Sequence, residues 1–203
     1  MTVKAESLSM ARRYIISLTG SNRVGVLAAV TTALDELRGN LWEANISVMQ
    51  PFCSILLTAD FPDDRSESIV SDHIRDLCRP YAVEVRLTEP AAESGILTPP
   101  TVKYVLTVRG SDKPGMLCLL ATKMAELSVD IRNLYAERCV RDQSFVMELE
   151  LAIPMSLDLA RVSEQISARC QELGLQLTLE PVAEFFARCG GNLRDSVRAT
   201  TRS

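Results

Sequence analysis

Two short passages carry the residues best suited to chemistry. They are Ser21-Asn22-Arg23-Val24-Gly25-Val26-Leu27 and Ser111-Asp112-Lys113-Pro114-Gly115-Met116-Leu117, ninety residues apart. Each follows an apolar run with strand alternation and precedes a run with helical spacing, so each predicts a strand, a tight turn and a helix start. A helix start leaves backbone N–H groups without intrahelical partners and carries the positive end of the helix dipole. Such a place attracts a carboxylate. Gly25 and Gly115 remove the side chain that would keep a ligand from the backbone. Asn22 and Asp112 can accept hydrogen bonds from an α-amino group. A free amino acid offers both halves of that chemistry. A purely structural account stands beside this one: Ser21, Asn22, Ser111 and Asp112 are good helix N-caps, and glycine after a strand is ordinary turn chemistry.

Other reactive residues lack partners in sequence. The chain has a single histidine, His73, placed among Ile69, Val70 and Ile74, where bordering a core is the simpler role. Six scattered cysteines contain no C-x-x-C pair, so reduced thiols are expected and a metal site is not. Asp60, Asp63, Asp64 and Glu67 read as solvated loop and helix-start charges. Trp42, at the start of a strand, suits either packing or contact with a partner domain. No phosphate loop, helix-turn-helix or zinc finger is visible. No acid, base and nucleophile assemble into a catalytic set, so no enzyme and no cofactor are expected.

The elements around the two turns repeat as well. Residues 13–19 predict a strand with Tyr14, Ile16 and Leu18 on one face. A helix with a Leu27, Val30, Leu34, Leu37 stripe follows, and Gly39-Asn40 is expected to end it in the left-handed conformation. Strands at 41–49 and 52–60, a helix near 66–79 and a strand near 82–88 complete the half. The second half predicts a strand at 103–109, a helix near 114–127 with Leu117, Leu120, Met124 and Leu127 inward, strands near 130–138 and 144–153, a helix near 157–172 and a last strand at 175–179.

Both halves thus follow β-α-β-β-α-β, the ferredoxin-like order. The fold class is α+β, with each half a four-stranded antiparallel sheet bearing two helices on one face. The first and third strands are central, and their near-continuous apolar runs call for cover on both faces, expected from another sheet. The division is 11–90 for the first domain, 91–101 for a Pro- and Gly-bearing linker, 102–183 for the second domain, and 184–203 for a flexible C-terminal tail, with a short helix at its start as the alternative for that stretch. The tail arginines (Arg188, Arg194, Arg198, Arg202) read as solubilising.

At 203 residues with 47% hydrophobic content, each half can bury a modest core. A net charge of −4 argues against broad attraction to nucleic acid. No signal peptide or membrane-length apolar run is apparent, so a soluble cytoplasmic protein is expected. Small cores with apolar sheet faces favour at least a homodimer.

The doubled strand–Gly–Ser–(Asn/Asp)–(Arg/Lys)–x–Gly–(Val/Met)–Leu passage resembles the ACT-domain family of small-molecule sensors. Gly39-Asn40-Leu41 and Val129-Asp130-Ile131, at the second strand of each copy, add to the likeness. Two such domains with nothing else attached look most like the glycine cleavage system transcriptional repressor group. The resemblance implies an amino-acid ligand, with glycine suggested, bound where the loop meets the second strand of a partnered domain. The candidate residues are therefore Ser111, Asp112, Lys113, Gly115, Met116, Leu117, Asp130 and Ile131, and in the first copy Ser21, Asn22, Arg23, Gly25, Val26, Leu27, Asn40 and Leu41. The second copy keeps the acidic residue and proline that the family places before the glycine; the first has Asn22 and Val24 instead. The resemblance further implies a non-enzymatic regulator acting through a protein partner such as a transcription factor. The alternative is a detached regulatory subunit that controls a metabolic enzyme in trans.

Overall fold

The computed structural model describes residues 12–90, 99–139, 144–172, 174–189, 193, 196 and 197. The chain divides into two compact units, Met1–Ile96 and Leu97–Ser203. The expected linker at 91–101 lies mostly outside the described residues.

In the first unit β1 (Arg12–Ser21), α1 (Val26–Glu36), β2 (Asn40–Met49), β3 (Phe52–Phe61), α2 (Glu67–Cys78) and β4 (Glu84–Thr88) follow one another. The sheet order is β2-β3-β1-β4, with every neighbour antiparallel. Alternation in β1 buries Tyr14, Ile16 and Leu18 beneath the helices, and Ile55, Leu57, Ala59 and Phe61 of β3 join them. Ser66 caps α2 by accepting the Ile69 N–H at 3.4 Å. Val70, Ile74 and Cys78 face the core, and burial pushes the Cys78 thiol pKa up.

Two local expectations change. Leu27 does not belong to the inner stripe and is 43% exposed; Val26, one turn before Val30, takes that place because α1 starts there. At the other end Arg38, rather than Gly39 or Asn40, adopts the left-handed conformation (φ 58°), and the Gly39 N–H returns to the Leu34 carbonyl at 2.7 Å. Gly39 serves a different purpose: a Cβ there would lie 2.6 Å from the Phe61 ring.

The second unit repeats the order as β5 (Thr101–Ser111), α3 (Met116–Glu126), β6 (Asp130–Arg138), β7 (Ser144–Pro154), α4 (Leu159–Glu172) and β8 (Gln176–Pro181). Its sheet runs β6-β7-β5-β8. The same shift occurs in α3, where Met116 is buried and Leu117 is 44% exposed. The helix ending repeats too, with Ser128 left-handed (φ 55°) and the Val129 N–H on the Met124 carbonyl at 2.9 Å.

The units differ on the sheet face away from these helices. Chain directly after β8 forms α5 (Val182–Cys189), which packs on β5 and β8. Phe185 is fully buried with Val105 and Leu193, and Tyr135, Val182, Phe186 and Cys189 surround them. The start of the 184–203 segment thus lies in a short helix, and the cover over this sheet is that helix, not a second sheet. Residues 146–154 of β7 are buried without a break, whereas β3 alternates. The corresponding face of the first unit shows Met49, Phe52 and Leu56 exposed. Among the described residues no helix is long and apolar enough to cross a membrane.

Candidate functional site

Each turn begins where a central strand leaves its sheet. Residues Ser21 to Val24 are exposed and Gly25 is half-buried; in the second unit Ser111 to Gly115 are all exposed. Gly25 (φ 101°) and Gly115 (φ 85°) occupy the N-cap positions in a left-handed conformation that other residues rarely adopt. Neither helix has a side-chain cap, so Ser21, Asn22, Ser111 and Asp112 do not perform the capping role that their types suggest. Among the described residues the first-turn N–H groups of Leu27, Ala28, Leu117 and Cys118 thus have no side-chain cap, and these four residues are exposed at the positive end of each helix. Their neighbours Val26 and Met116 point into the cores and anchor the first turns.

The surroundings of the two glycines differ. A Cβ at Gly25 would lie 2.6 Å from the Tyr81 hydroxyl, whereas Gly115 has nothing within 4 Å of that position. Arg23 folds back to donate to the Pro80 carbonyl at 3.4 Å, and the Asn22 N–H donates to the Pro51 carbonyl at 2.7 Å, next to the cis Gln50–Pro51 peptide. The first turn is therefore closed down by its own unit. The second opens onto a groove of about 720 Å³ lined by Gly115, Cys118, Leu119, Thr122, Lys123 and Gln165 among others. Asp112, expected to meet an amino group, already pairs with Arg138 at the end of β6 at 3.4 Å.

The second-strand candidates are elsewhere. Asn40 pairs with Asp60, which pairs with Arg13, at the end of the sheet opposite the turn; Ser21 pairs with Phe52. Eight residues of strand separate the two ends, about 27 Å. Asp130 and Ile131 sit likewise, opposite Ala152 and Leu151, while Ser111 pairs with Ser144. Within one unit the turn and the start of the second strand therefore do not meet. Both second strands are sheet edges, and both carry a register break at the same place, between Leu41 and Glu43 and between Ile131 and Asn133. Asp130 is engaged by Arg132 at 2.9 Å. Near the break in β2, the Arg13 guanidinium lies 4.1 Å from the Trp42 ring centre and grips Asp60 through two bonds of 2.6 and 2.9 Å. Those bonds hold the Asp60 carboxyl below its usual pKa.

No protein-family model matches the chain. A UPF0237 protein of Corynebacterium glutamicum is 34% identical over 84 residues, which cover 41% of this chain and 92% of that relative. The chain belongs to the UPF0237 family. A second relative, the UPF0237 protein of Streptococcus mutans, is 28% identical over 86 residues, 42% of this chain and 96% of its own length. These UPF0237 relatives are each about one module long, and the present chain holds two.

Solved structures agree on the fold of this UPF0237 chain. An unknown protein from Galdieria sulphuraria superposes with a TM-score of 0.72 at 19% identity, over 85% of this chain and 99% of that one. A protein assigned as a glycine cleavage system transcriptional repressor superposes at 0.65 with 15% identity, over 85% and 98%. The tandem ferredoxin-like architecture is thereby shown.

Two features of this UPF0237 member have no signal in the sequence. Tyr81 against Gly25 has no local signal, since 56 positions separate them. Arg138 against Asp112 depends likewise on strand pairing. Helix α5 does have one, in keeping with a short helix at the start of the C-terminal segment: Val182, Phe185, Phe186 and Cys189 stand at i, i+3, i+4 and i+7. His73 proves to be a half-exposed partner of Glu36 at 2.7 Å. Among the described residues no three His, Cys, Asp or Glu side chains come together as a metal site.

Proposed function

We propose that the chain is a non-enzymatic regulator that senses an amino acid through the turn at Ser111 to Leu117 and passes that state to a protein partner in the cytoplasm. One observation carries this reading: the uncapped start of α3, held open by left-handed Gly115 with nothing near it. Unsatisfied N–H groups at that point select a carboxylate, and the groove beyond Gly115 offers room for the rest of a small molecule. The matching turn at Ser21 to Leu27 is pressed by Tyr81 and is the weaker binder of the two.

Since Asp130 and Ile131 lie at the far end of their own sheet, completion of the site falls to the edge strand of another module. The second strands, exposed along their edges, suit such pairing, and a homodimer supplies it. Resemblance to the glycine cleavage repressor group makes glycine the first ligand to try and a transcription factor the first partner. Ligand acts on the partner only as far as it prefers one domain arrangement over another.

Calorimetry of the full chain against the twenty amino acids tests the reading. Saturable binding of at least one, lost in Gly115→Val while the protein stays folded, is expected. Absence of binding by the intact oligomer overturns it.

A further inference from the structure

The second sheet carries a cavity on its α5 side, the face opposite α3 and α4. Thr107 and Arg109 of β5, Gln176, Thr178 and Glu180 of β8, and Arg188 of α5 surround about 330 Å³. That volume is at the small end of the range for small-molecule sites.

Its polar groups are incompletely matched. Thr107 is only 5% exposed, and its buried hydroxyl has no hydrogen-bond partner among the described residues. Beside the lining, Glu148 lies directly across from Thr107 in the β5–β7 register, is 1% exposed, and accepts one bond from the Ser196 hydroxyl at 2.9 Å. Its second oxygen is buried and unpartnered among the described residues. Folded chains leave few buried polar atoms in this condition, and one explanation for those they do leave is a missing bound group. The charges are specific as well. Arg188 is paired with Glu180, whereas Arg109 has no carboxylate at ion-pair distance among the described residues.

The arrangement selects its occupant. Arg109 offers a planar fork of donors suited to a carboxylate. The Thr107 hydroxyl, two strand positions from Arg109 and on the same sheet face, can donate to the same group. Glu148 and Glu180 nearby oppose a second negative charge, which disfavours phosphates and dicarboxylates. Gln176 and Thr178 provide amide and hydroxyl partners for a further polar group.

We propose that this cavity binds a small monocarboxylate bearing a hydroxyl or amino group beside the carboxylate. The site is independent of the turn at Gly115, on the opposite side of the same sheet's helices.

The test follows the methyl resonances of Thr178 and of Leu177, which also lines the cavity, in the full chain during titration with L-lactate, L-alanine and propionate. L-lactate or L-alanine should shift both methyls saturably, and propionate, lacking the second polar group, should bind several-fold more weakly. Arg109→Gln and Thr107→Val should each weaken binding at least about fivefold. Arg109 is exposed, and valine matches threonine in shape, so both variants should fold, as circular dichroism checks. Gly115→Val should leave this binding unchanged, which separates it from amino-acid sensing at the turn. No saturable shift with any of the three compounds to about 50 mM, equal affinity for propionate, or full affinity in both variants would overturn the proposal.

Discussion

Replacing each turn glycine with alanine should expose the difference between the two turns. Both glycines are left-handed, and an L-residue in that conformation costs about 1–2 kcal/mol. Alanine regains about 0.4–1 kcal/mol by restricting the unfolded chain. Gly115→Ala meets open space, so its net cost should be about 1 kcal/mol. Gly25→Ala brings its methyl 2.6 Å from the Tyr81 hydroxyl and 3.1 Å from two ring carbons. Tyr81 packs against the first core, and forcing it aside adds about 1–3 kcal/mol. The total at Gly25 should then be about 2–4 kcal/mol. Urea denaturation of the full chain measures both. Trp42 is the sole tryptophan and lies in the first unit, so its fluorescence follows that unit while far-ultraviolet circular dichroism follows both. With a slope near 2 kcal/mol per molar urea, the first-unit midpoint should fall by about 1–2 M in Gly25→Ala. The second should fall by about 0.5 M in Gly115→Ala. Adding Tyr81→Phe to Gly25→Ala removes the nearest atom and should recover part of the loss. Equal midpoint losses in the two single variants would refute the reasoning, because strain alone would then account for both.

Two further outcomes concern the α5 side of the second sheet. Phe185→Ala should destabilise the second unit by about 3–5 kcal/mol, since it empties the centre of a buried cluster; a loss under about 1 kcal/mol in chemical denaturation would mean that α5 contributes little. Burial pushes the Glu148 pKa above the usual glutamate range, against the opposing pull of the Ser196 bond and of Arg109 and Arg188. The folded state therefore holds this proton more firmly than the unfolded chain does. The resulting stability is complete below the unfolded pKa, about 4.3, and is lost as pH rises through the folded value. Glu148→Gln keeps an acceptor for Ser196 and removes the titration, so thermal melts should show a smaller loss of stability on going from pH 4 to pH 7; a pH profile identical to that of the parent protein refutes the assignment.

Element order and the centrality of β1, β3, β5 and β7 were legible because alternation in strands and spacing in helices are local properties. The two glycine turns were legible for the same reason, and the positive φ at Gly25 and Gly115 matches what only glycine adopts easily. Leu27 and Leu117 were misplaced on the inner face because a stripe drawn from leucines alone ignores where the helix begins. The capping alternative at Ser21, Asn22, Ser111 and Asp112 does not hold, because type shows capacity while cap geometry depends on how the chain enters the helix.

The sequence by itself determined that this protein is one module written twice, with a backbone-donor turn at the head of each first helix. Repetition, periodicity and glycine are all written in consecutive residues. Tertiary structure alone decided that the turns are unequal, since Tyr81 reaches Gly25 across the fold and nothing reaches Gly115. It also separated each turn from the start of its own second strand, because antiparallel pairing sends Asn40 and Asp130 to the opposite end of the sheet. And it placed α5 over β5 and β8, where Thr107, Arg109 and Glu148 gather. Tyr81 and Gly25 are 56 positions apart and Thr107 and Glu148 are 41 apart, and the energy that brings them together comes from burial and pairing in three dimensions, which no local pattern records.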